Sequence, residues 1–309
     1  MAGTTRPLRF DGRVALVTGA GRGLGEAYAR TLAARGAAVV VNDLGRSLDG
    51  SAATDSPVHE VVSQIRAAGG QAVADGGDVS TPDGGAAIVQ TALDAFGRLD
   101  IVVNNAGIVA KSDFPDTTLE DLARHIGVHQ LGVFNVTRAA WPVLAAQGYG
   151  RVVIVVSSAL YGIKGVLPYS SAKGGAFGLA RGLAQIGAET GVKVNMIAPI
   201  ALTRMSGTTA LTEDELRARR EQLAPEKAAE MVAVLAHERC PANGEILVSA
   251  GDRVARMFLA ETPGVTRPGL TAEDIVEAWD DICAEGGYTV PGPALLGDGA
   301  RQASPSGVG

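Results

Sequence analysis

The sequence predicts an α/β protein built on a doubly wound parallel sheet, in a single domain that carries a C-terminal helical extension. Short runs of β-branched residues recur along the chain, and the Ala- and Leu-rich segments between them are long enough for crossover helices. Strands and helices that alternate in this way form right-handed units, and the ligand crevice of such a sheet lies beyond the carboxyl ends of its strands. We therefore expect the functional residues directly after the strands.

Each predicted strand is a nearly continuous apolar run, such as VALVT at 14–18, which is typical of strands buried on both faces of a sheet. The run at 71–74 is the weakest, but it completes the first half of the sheet. The sheet pattern stops after Gly251. In chain order, the predicted strands cover residues 14–18, 37–42, 71–74, 99–104, 151–157, 192–198 and 245–250, and the predicted helices cover 24–35, 58–68, 84–96, 119–146 and 170–190.

These elements divide the chain into a sheet domain at 8–251, an extension at 252–296 that is expected to dock on it, and a tail at 297–309 whose Gly, Ser and Pro predict disorder. The extension contains an amphipathic segment at 271–283. It opens with a threonine, and Asp274 stands three residues later, which is a variant of the capping box. The extension is therefore predicted to be folded.

Segment 202–225 has a different character, because it is dense in Thr, Glu and Arg and lies between the last two predicted strands. A mobile cover over the crevice is one interpretation of this segment. A solvated pair of surface helices fits its charge pattern equally well.

Charge and composition restrict the partners. The chain has 27 Lys and Arg against 33 Asp and Glu, a net charge of −6, and lacks a basic block, which argues against nucleic acid. Apolar runs such as 152–156 are far shorter than the roughly 18 residues of a membrane span. Cys240 and Cys283 are too few for a disulfide framework, and the first residues lack a signal-like apolar region. We expect a cytoplasmic protein that acts on a small molecule.

A glycine-rich loop, TGAGRGLG at 18–25, follows the first predicted strand and leads into a helix. Glycines in such a loop supply a tight turn, close approach of the backbone to a pyrophosphate and close packing of helix on strand, while the helix N-terminus faces the anion. With a strand before it and a helix after it, the loop predicts dinucleotide binding. Its expected cofactor contacts are Gly19, Gly21, Arg22, Gly23, Leu24 and Gly25.

Asp43 ends the second predicted strand, 18 residues beyond Gly25. Its carboxylate can accept hydrogen bonds from both hydroxyls of the adenosine ribose and would repel a 2′-phosphate, so it favours NAD over NADP. Arg22 argues in the other direction, because its guanidinium can meet a 2′-phosphate, although an exposed loop charge explains it as well. Asp78 and Val79 follow the third predicted strand and are expected beside the adenine, and Asp78 also suits a turn.

Tyr169 and Lys173 stand four residues apart at the start of a predicted helix, so that both side chains project from one face into the crevice. A free phenol, with a pKa of about 10, exchanges protons poorly at neutral pH unless nearby positive charge stabilises the phenolate. We expect Lys173 to lower the pKa of Tyr169 and to hold the nicotinamide ribose. Ser157, or alternatively Ser158, is expected to hydrogen-bond the substrate oxygen.

With these motifs, the sequence resembles the short-chain dehydrogenase/reductase family over roughly residues 8–285. The glycine loop matches the family's TGxxxGxG motif, residues 104–107 match its NNAG motif, and Ser157, Tyr169 and Lys173 match its Ser-Tyr-Lys set. The resemblance implies a Rossmann fold. It also implies further cofactor contacts from Asn105, Ala106, Gly107, Pro199 and Thr203, beside Tyr169 and Lys173.

Within the family, stretches such as VVVNDLG and TALDAFGRLDIVVNNAG look like the (3R)-hydroxyacyl-CoA dehydrogenase branch. This likeness implies an NAD-dependent enzyme that interconverts a secondary alcohol and a ketone on a 3-hydroxyacyl-CoA or a hydroxysteroid. The alternatives are an NADP-dependent ketone reductase and a non-catalytic NAD-binding sensor. If the substrate is a 3-hydroxyacyl-CoA, its phosphates could bind to Arg217, Arg219 and Arg220. Alternatively, these arginines pair with the neighbouring acids.

The family resemblance also implies a homodimer or homotetramer. In this family, small-residue faces of two long helices pair across a two-fold axis. The corresponding faces of the predicted helices at 119–146 and 170–190 are also rich in small residues. The second face includes Ala172, Ala176, Leu179 and Leu183.

Two features depart from the family pattern. His129 stands where most members carry a catalytic Asn, so it is either part of a proton relay or a packing or capping residue. The usual spacing before Tyr169 would place the catalytic serine at Val156, so the loop is shorter by one or two residues and Ser157 is preferred. His125 and His129 form an HxxxH pair, but without a third ligand nearby we expect no metal.

Overall fold

The computed structural model describes residues 6–45, 57–202 and 212–291. It contains an eight-stranded sheet with the order β3-β2-β1-β4-β5-β6-β7-β8. Strands β1 to β7 pair in parallel, which confirms the predicted doubly wound sheet. The strands are β1 (Val14–Thr18), β2 (Ala38–Asn42), β3 (Gln71–Asp75), β4 (Ile101–Asn104), β5 (Gly150–Val155), β6 (Val192–Ile200), β7 (Ile246–Ala250) and β8 (Arg253–Met257).

Helices connect and cover the strands. They are α1 (Gly23–Ala34), α2 (Val58–Ala67), α3 (Pro82–Phe96), α4 (Leu119–Ile126), α5 (Gly132–Ala146), α6 (Leu167–Ala188), α7 (Glu213–Gln222), α8 (Pro225–Ala236), α9 (Ala272–Glu277) and α10 (Trp279–Cys283). A π-helical turn, Gly127–Leu131, joins α4 to α5, and a short 3-10 helix, Ser158–Tyr161, follows β5. Within the described ranges, none of the helices combines the length and apolar character that a membrane crossing requires.

Local sequence explains where the helices begin and end. The Thr81 side chain accepts a hydrogen bond from the Gly84 N–H, Pro82 occupies the first turn, and α3 ends at Gly97 in the left-handed conformation, with a φ of 72°. Thr271 and Asp274 form the reciprocal capping box that the sequence predicts before α9.

The core lies on both sides of the sheet. Every residue of β1, β4 and β5 is buried, as expected for central parallel strands. Because β1 and β4 lie side by side while their connections run to opposite halves of the sheet, the strand order reverses between them. A crevice forms at the carboxyl ends of the strands at such a point.

Three predicted elements differ in detail. The single helix predicted at 119–146 is interrupted by the π-helical turn, and the helix predicted at 271–283 is divided at Ala278 into α9 and α10. The sheet also continues past Gly251 into β8. That strand, RVARM, is an edge strand with two arginines, and the apolar pattern that marks buried strands is absent from it.

The prediction that one face of α6 pairs with a second subunit is wrong for two of its residues. Ala172 and Ala176 are completely buried, together with Ala180 and Ala184 at the same four-residue spacing. This stripe faces the interior of the chain, where small side chains let α6 lie close to the sheet. Ala172 and Ala176 are therefore not available to a second subunit.

The chain divides into two compact units, one up to Arg256 and one from Met257 onwards. In the second unit, Glu261 and Thr289 pair as an isolated antiparallel bridge, and the rings of Phe258 and Tyr288 lie 5.8 Å apart. The second unit is therefore folded over its described residues. Docking of the extension stays a prediction, and the tail at 297–309 lies outside the described residues.

Candidate active site

A cavity of about 990 Å³ opens at the carboxyl ends of the strands. Gly21 is buried and is not among the residues that line it, and Thr203 lies outside the described residues. The remaining predicted site residues all line it: Gly19, Arg22, Gly23, Leu24, Gly25, Asp43, Asp78, Val79, Asn105, Ala106, Gly107, Ser157, Tyr169, Lys173 and Pro199.

The glycine loop is packed too tightly for side chains. A Cβ on Gly19, whose φ is +63°, would lie 2.7 Å from the Cα of Ala106. A Cβ on Gly25 would collide with the Gly19 carbonyl oxygen. These two positions of the loop therefore accept only glycine, and the first N–H groups of a helix such as α1 are the groups that favour an anion.

Thr18, which the sequence analysis missed, ties this loop to the segment after β4. Its hydroxyl accepts hydrogen bonds from the N–H groups of Asn105 and Ala106, at 3.0 and 3.1 Å. The Asn105 side chain donates in return to the carbonyl oxygens of Thr18 and Gly19. A buried strand-end threonine gives no strong signal in sequence, because its importance depends on which strand is its neighbour.

Asp43 is held beside the loop by backbone groups. One carboxylate oxygen accepts from the Gly21 N–H at 3.0 Å and the other from the Gly45 N–H at 2.8 Å. A Cβ on Gly21 would collide with the Pro57 ring and would also lie 2.9 Å from this carboxylate, which explains the glycine there. Gly21 therefore fixes Asp43 instead of lining the cavity.

Asp78 has the turn role that the sequence left open. Its carboxylate accepts from the N–H and the hydroxyl of Ser80, at 2.9 and 2.6 Å. Val79 is buried, and its carbonyl oxygen accepts from the Asn135 side chain. Both residues nevertheless reach the cavity wall beside Asp43.

The structure distinguishes between the two candidate serines. Ser157 lines the cavity together with Tyr169, and its hydroxyl accepts from the Ala159 N–H at 3.1 Å. Ser158 begins the 3-10 helix and is not part of the cavity lining. The geometry therefore favours Ser157.

Lys173 is buried beside Tyr169. Its Nζ lies 5.6 Å from the centre of the Tyr169 ring and donates to the carbonyl oxygen of Val155. Burial lowers the pKa of Lys173 to about 7. Burial also raises the pKa of Tyr169, and the hydrogen bond from Ser157 opposes this rise.

Burial thus penalises the charged form of both groups. The expectation that the charge of Lys173 stabilises the phenolate of Tyr169 stays a prediction. With its own pKa of about 7, Lys173 is a group that can take up and release a proton near neutral pH.

Part of α7 reaches the cavity. Leu216 and Arg220 line it, while Arg217 pairs with Asp214 at 2.9 Å on the exposed side. No residue of α7 is buried, so this helix forms an exposed lip, as a solvated surface helix would. The mobile cover stays a prediction, and residues 203–211 lie outside the described residues. Among the described residues, there is no group of three His, Cys, Asp or Glu side chains that could hold a metal ion.

A family model described as short chain dehydrogenase matches residues 13–215. Peroxisomal multifunctional enzyme type 2 from Mus musculus is 43% identical over 282 residues, which cover 90% of this chain but 37% of the mouse enzyme. The chain therefore spans less than half the length of that relative.

Two further comparisons concern proteins of similar size. A putative short-chain type dehydrogenase/reductase from Mycobacterium tuberculosis is 43% identical over 283 residues, covering 91% of this chain and 97% of the relative. The solved structure of a 7α-hydroxysteroid dehydrogenase, complexed with NADH and 7-oxo glycochenodeoxycholic acid, is 28% identical with a TM-score of 0.69. It covers 79% of this chain and 95% of its own.

Proposed function

This chain belongs to the short-chain dehydrogenase family and is an oxidoreductase acting on CH–OH groups, and from that premise we propose that it uses NAD to interconvert a secondary alcohol and a ketone. The observation that carries the proposal is that Ser157, Tyr169 and Lys173 line the same cavity as the glycine loop. This arrangement brings proton transfer and dinucleotide binding together in one site.

The residues around the glycine loop suit a dinucleotide. The crowded, side-chain-free backbone at Gly19 and Gly25 lets a pyrophosphate approach the N-terminus of α1. We assign the other contacts to Asp43, to segment 105–107 and to Pro199. When bound, the nicotinamide ring supplies the hydride acceptor for alcohol oxidation and the hydride donor for ketone reduction.

Asp43 supports NAD as the cofactor. Two backbone N–H groups hold its carboxylate at the cavity, and each oxygen keeps a lone pair for a ribose hydroxyl. A 2′-phosphate at this point would meet a fixed negative charge. Arg22, which is exposed at the same wall, supports the NADP alternative.

Asp43→Asn tests this assignment, because the amide keeps an acceptor but loses the charge. We expect kcat/KM with NAD to fall about tenfold and kcat/KM with NADP to rise, as measured by steady-state kinetics. Arg22→Ala is the matched variant and should leave the NAD rates almost unchanged. Wild-type preference for NADP, lost in Arg22→Ala, would reverse the assignment.

The chain's own residues account for the proton chemistry. Ser157 holds the substrate oxygen beside the phenol, whose pKa it acts to lower. Tyr169 gives the proton to that oxygen in reduction and removes it in oxidation. Lys173, with a pKa of about 7, restores the proton on the phenol and stabilises the phenolate when charged.

The cavity mouth supports an apolar substrate. Ile163 lines it and stays 47% exposed, and Tyr161 and Leu167, within four residues of Ile163 in the chain, are 75% and 40% exposed. The names of the relatives indicate peroxisomal multifunctional and hydroxysteroid dehydrogenase activities for those proteins. We therefore propose a 3-hydroxyacyl-CoA or a hydroxysteroid as the substrate.

The decisive assay mixes purified protein with NAD and follows NADH absorbance on 3-hydroxyacyl-CoA, hydroxysteroids and simple secondary alcohols. Turnover of either of the first two classes supports the whole proposal. Turnover of simple alcohols alone removes the substrate assignment and keeps the dehydrogenase. NAD binding without any turnover would indicate a sensor.

Assembly and location complete the proposal. We propose a homodimer or homotetramer, for which the exposed Phe134 and Ile186 on the outer surfaces of α5 and α6 offer apolar contact area.

We also propose a reducing cytoplasmic setting, supported by the unpaired Cys240 and Cys283. Mass measurement in solution and imaging of a tagged chain test these two points, and import into peroxisomes would contradict the second.

A further inference from the structure

The two histidines of the HxxxH pair have no part in the chemistry proposed above. His125 is 0% exposed and His129 is 1% exposed. Their rings are nearly parallel, with an interplanar angle of 20° and centroids 6.1 Å apart. Two buried imidazoles in such an arrangement need a structural or functional reason, because burying polar rings costs free energy unless they are hydrogen-bonded.

His125 links α4 to the segment after β4. Its Nδ1–H donates to the carbonyl oxygen of Asp121 at 2.7 Å. Since a carbonyl can only accept, this bond sets the tautomer and leaves Nε2 as an acceptor. Nε2 accepts from the Ala110 N–H at 3.1 Å.

His129, in the π-helical turn, holds the same segment two residues earlier. Its Nε2 lies 2.7 Å from the carbonyl oxygen of Ile108, to which it donates, and 3.2 Å from the Ile108 nitrogen. Burial, together with the charge of Lys173, holds the pKa of His129 well below its usual range. The ring is therefore neutral.

The spacing of the two rings matches the spacing of their partners. Four residues along a helix advance about 6 Å, and two residues along an extended chain advance about 6.6 Å. The centroid separation of 6.1 Å lies between these values. Histidines four apart on a helix can therefore each hold one residue of an extended segment at alternate positions.

The segment so held is a wall of the cavity, because Ile108 and Val109 both line it. On its other side, His129 meets the ring of Tyr169 edge to face, with centroids 5.1 Å apart and an interplanar angle of 88°. One imidazole thus contacts both the wall and the side chain to which we assign proton transfer.

We infer that His125 and His129 are positioning residues that clamp the cavity wall 108–110 against Tyr169, and so hold the carbon of a secondary alcohol within reach of the phenol. The inference rests on the proposed function. Neither histidine acts on the substrate itself. The clamp affects the substrate side of the cavity and leaves the dinucleotide side unchanged.

His125→Leu tests the clamp at the residue that does not line the cavity. We expect KM for the alcohol to rise about tenfold and kcat to fall about threefold, while the Kd for NADH, measured by fluorescence, changes by less than about twofold. His125→Gln, which can restore an acceptor for the Ala110 N–H, should recover most of both parameters.

His237→Leu is the matched control. His237 is also buried and bonds to the backbone of Arg9 and Arg239, but it does not line the cavity. The same substitution there should lower the melting temperature without changing KM. If His125→Leu behaves like this control, or if its loss extends equally to NADH binding, the clamp is refuted.

Amide hydrogen exchange supplies a readout that does not depend on activity. In His125→Leu, the Ala110 amide should exchange about tenfold faster, and the amides of β1 should be unchanged. Unchanged exchange at Ala110 would overturn the inference. If the wild type oxidises no alcohol, the proposed function fails, and this exchange result alone decides whether the clamp exists.

Discussion

Each end of the same sheet contains a buried charged side chain. One of them is paired with opposite charges and the other is not. At the amino end, the Asp100 carboxylate is fully buried and receives hydrogen bonds from Arg13, Arg98 and the Val14 N–H at 2.7 to 2.9 Å. At the carboxyl end, the Lys173 ammonium donates to the neutral carbonyl of Val155.

The pKa values follow from this difference. Burial acts to raise the pKa of Asp100, but its hydrogen bonds from Arg98, Val14 and Arg13 outweigh burial and hold the pKa below the usual range. For Lys173, burial has no such opposition and lowers the pKa to about 7. A cluster with opposite charges keeps its carboxylate ionised, whereas a cluster without them keeps an exchangeable proton.

Tyr169→Phe should produce the largest effect, and this effect should be on activity at the carboxyl end of the sheet. Loss of the phenolic oxygen removes the proton-transfer group, so kcat/KM should fall about 10³-fold in the NADH absorbance assay. The melting temperature should stay within a few degrees, because the ring and its contact with His129 remain. Full activity in this variant would contradict the catalytic assignment.

Asp100→Asn is the corresponding change at the amino end. Removing the charge weakens the hydrogen bonds from Arg13 and Arg98, which are both partly exposed, and this should lower the free energy of unfolding by about 1.5 kcal/mol in a denaturant titration. The kcat of the folded enzyme should change by less than about twofold. A selective loss of kcat would show that this cluster also serves the reaction.

The pH dependence of stability distinguishes the clusters further. Because the folded-state pKa of Lys173 is lowered from 10.5 to about 7, the unfolded chain binds more protons between these values. The free energy of unfolding should therefore rise with pH above 7, by at most about 1.4 kcal/mol per pH unit from this residue.

Lys173→Met should remove this dependence, as measured by denaturant titrations at pH 7, 8 and 9. The contribution of Asp100 to stability depends on pH in the acidic range instead. Its lowered pKa contributes stability that is present above the unfolded-state value and is lost as the pH falls through the folded-state value. Equal pH slopes for the wild type and Lys173→Met would show that Lys173 stays charged in the fold.

The smallest expected effect concerns the exposed lip. Arg220 lines the cavity and Arg217 pairs with Asp214 away from it. Arg220→Ala should raise KM for a 3-hydroxyacyl-CoA about fivefold, with little change for the same acyl group on pantetheine, which lacks the nucleotide phosphates. Arg217→Ala is the control. Equal effects of the two variants would exclude a specific phosphate contact.

Much of the fold could be predicted because local pattern and tertiary role coincide. The continuous apolar runs at β1 and β5 are buried on both faces, and Thr81 and Pro82 start α3 as their residue types predict. Strand β8 was missed because its arginines and lack of apolar alternation are typical of surface segments.

The candidate site shows the same limit. The glycine loop and the spacing of Tyr169 and Lys173 place these residues at the cavity, as expected from strand ends and helix periodicity. The role of Thr18 and the contacts of His125 and His129 depend on segments far away in the chain. No pattern within a single element records such contacts.

The sequence by itself determined which residues follow the strands, and therefore which side chains could meet at one edge of a parallel sheet. Tertiary structure alone decided how deeply those side chains are buried and which charges stand beside them. The physical reason is that periodicity and turn chemistry act between near neighbours, whereas desolvation depends on everything that surrounds a group. For this reason the position of Lys173 follows from a motif, and its pKa of about 7 does not.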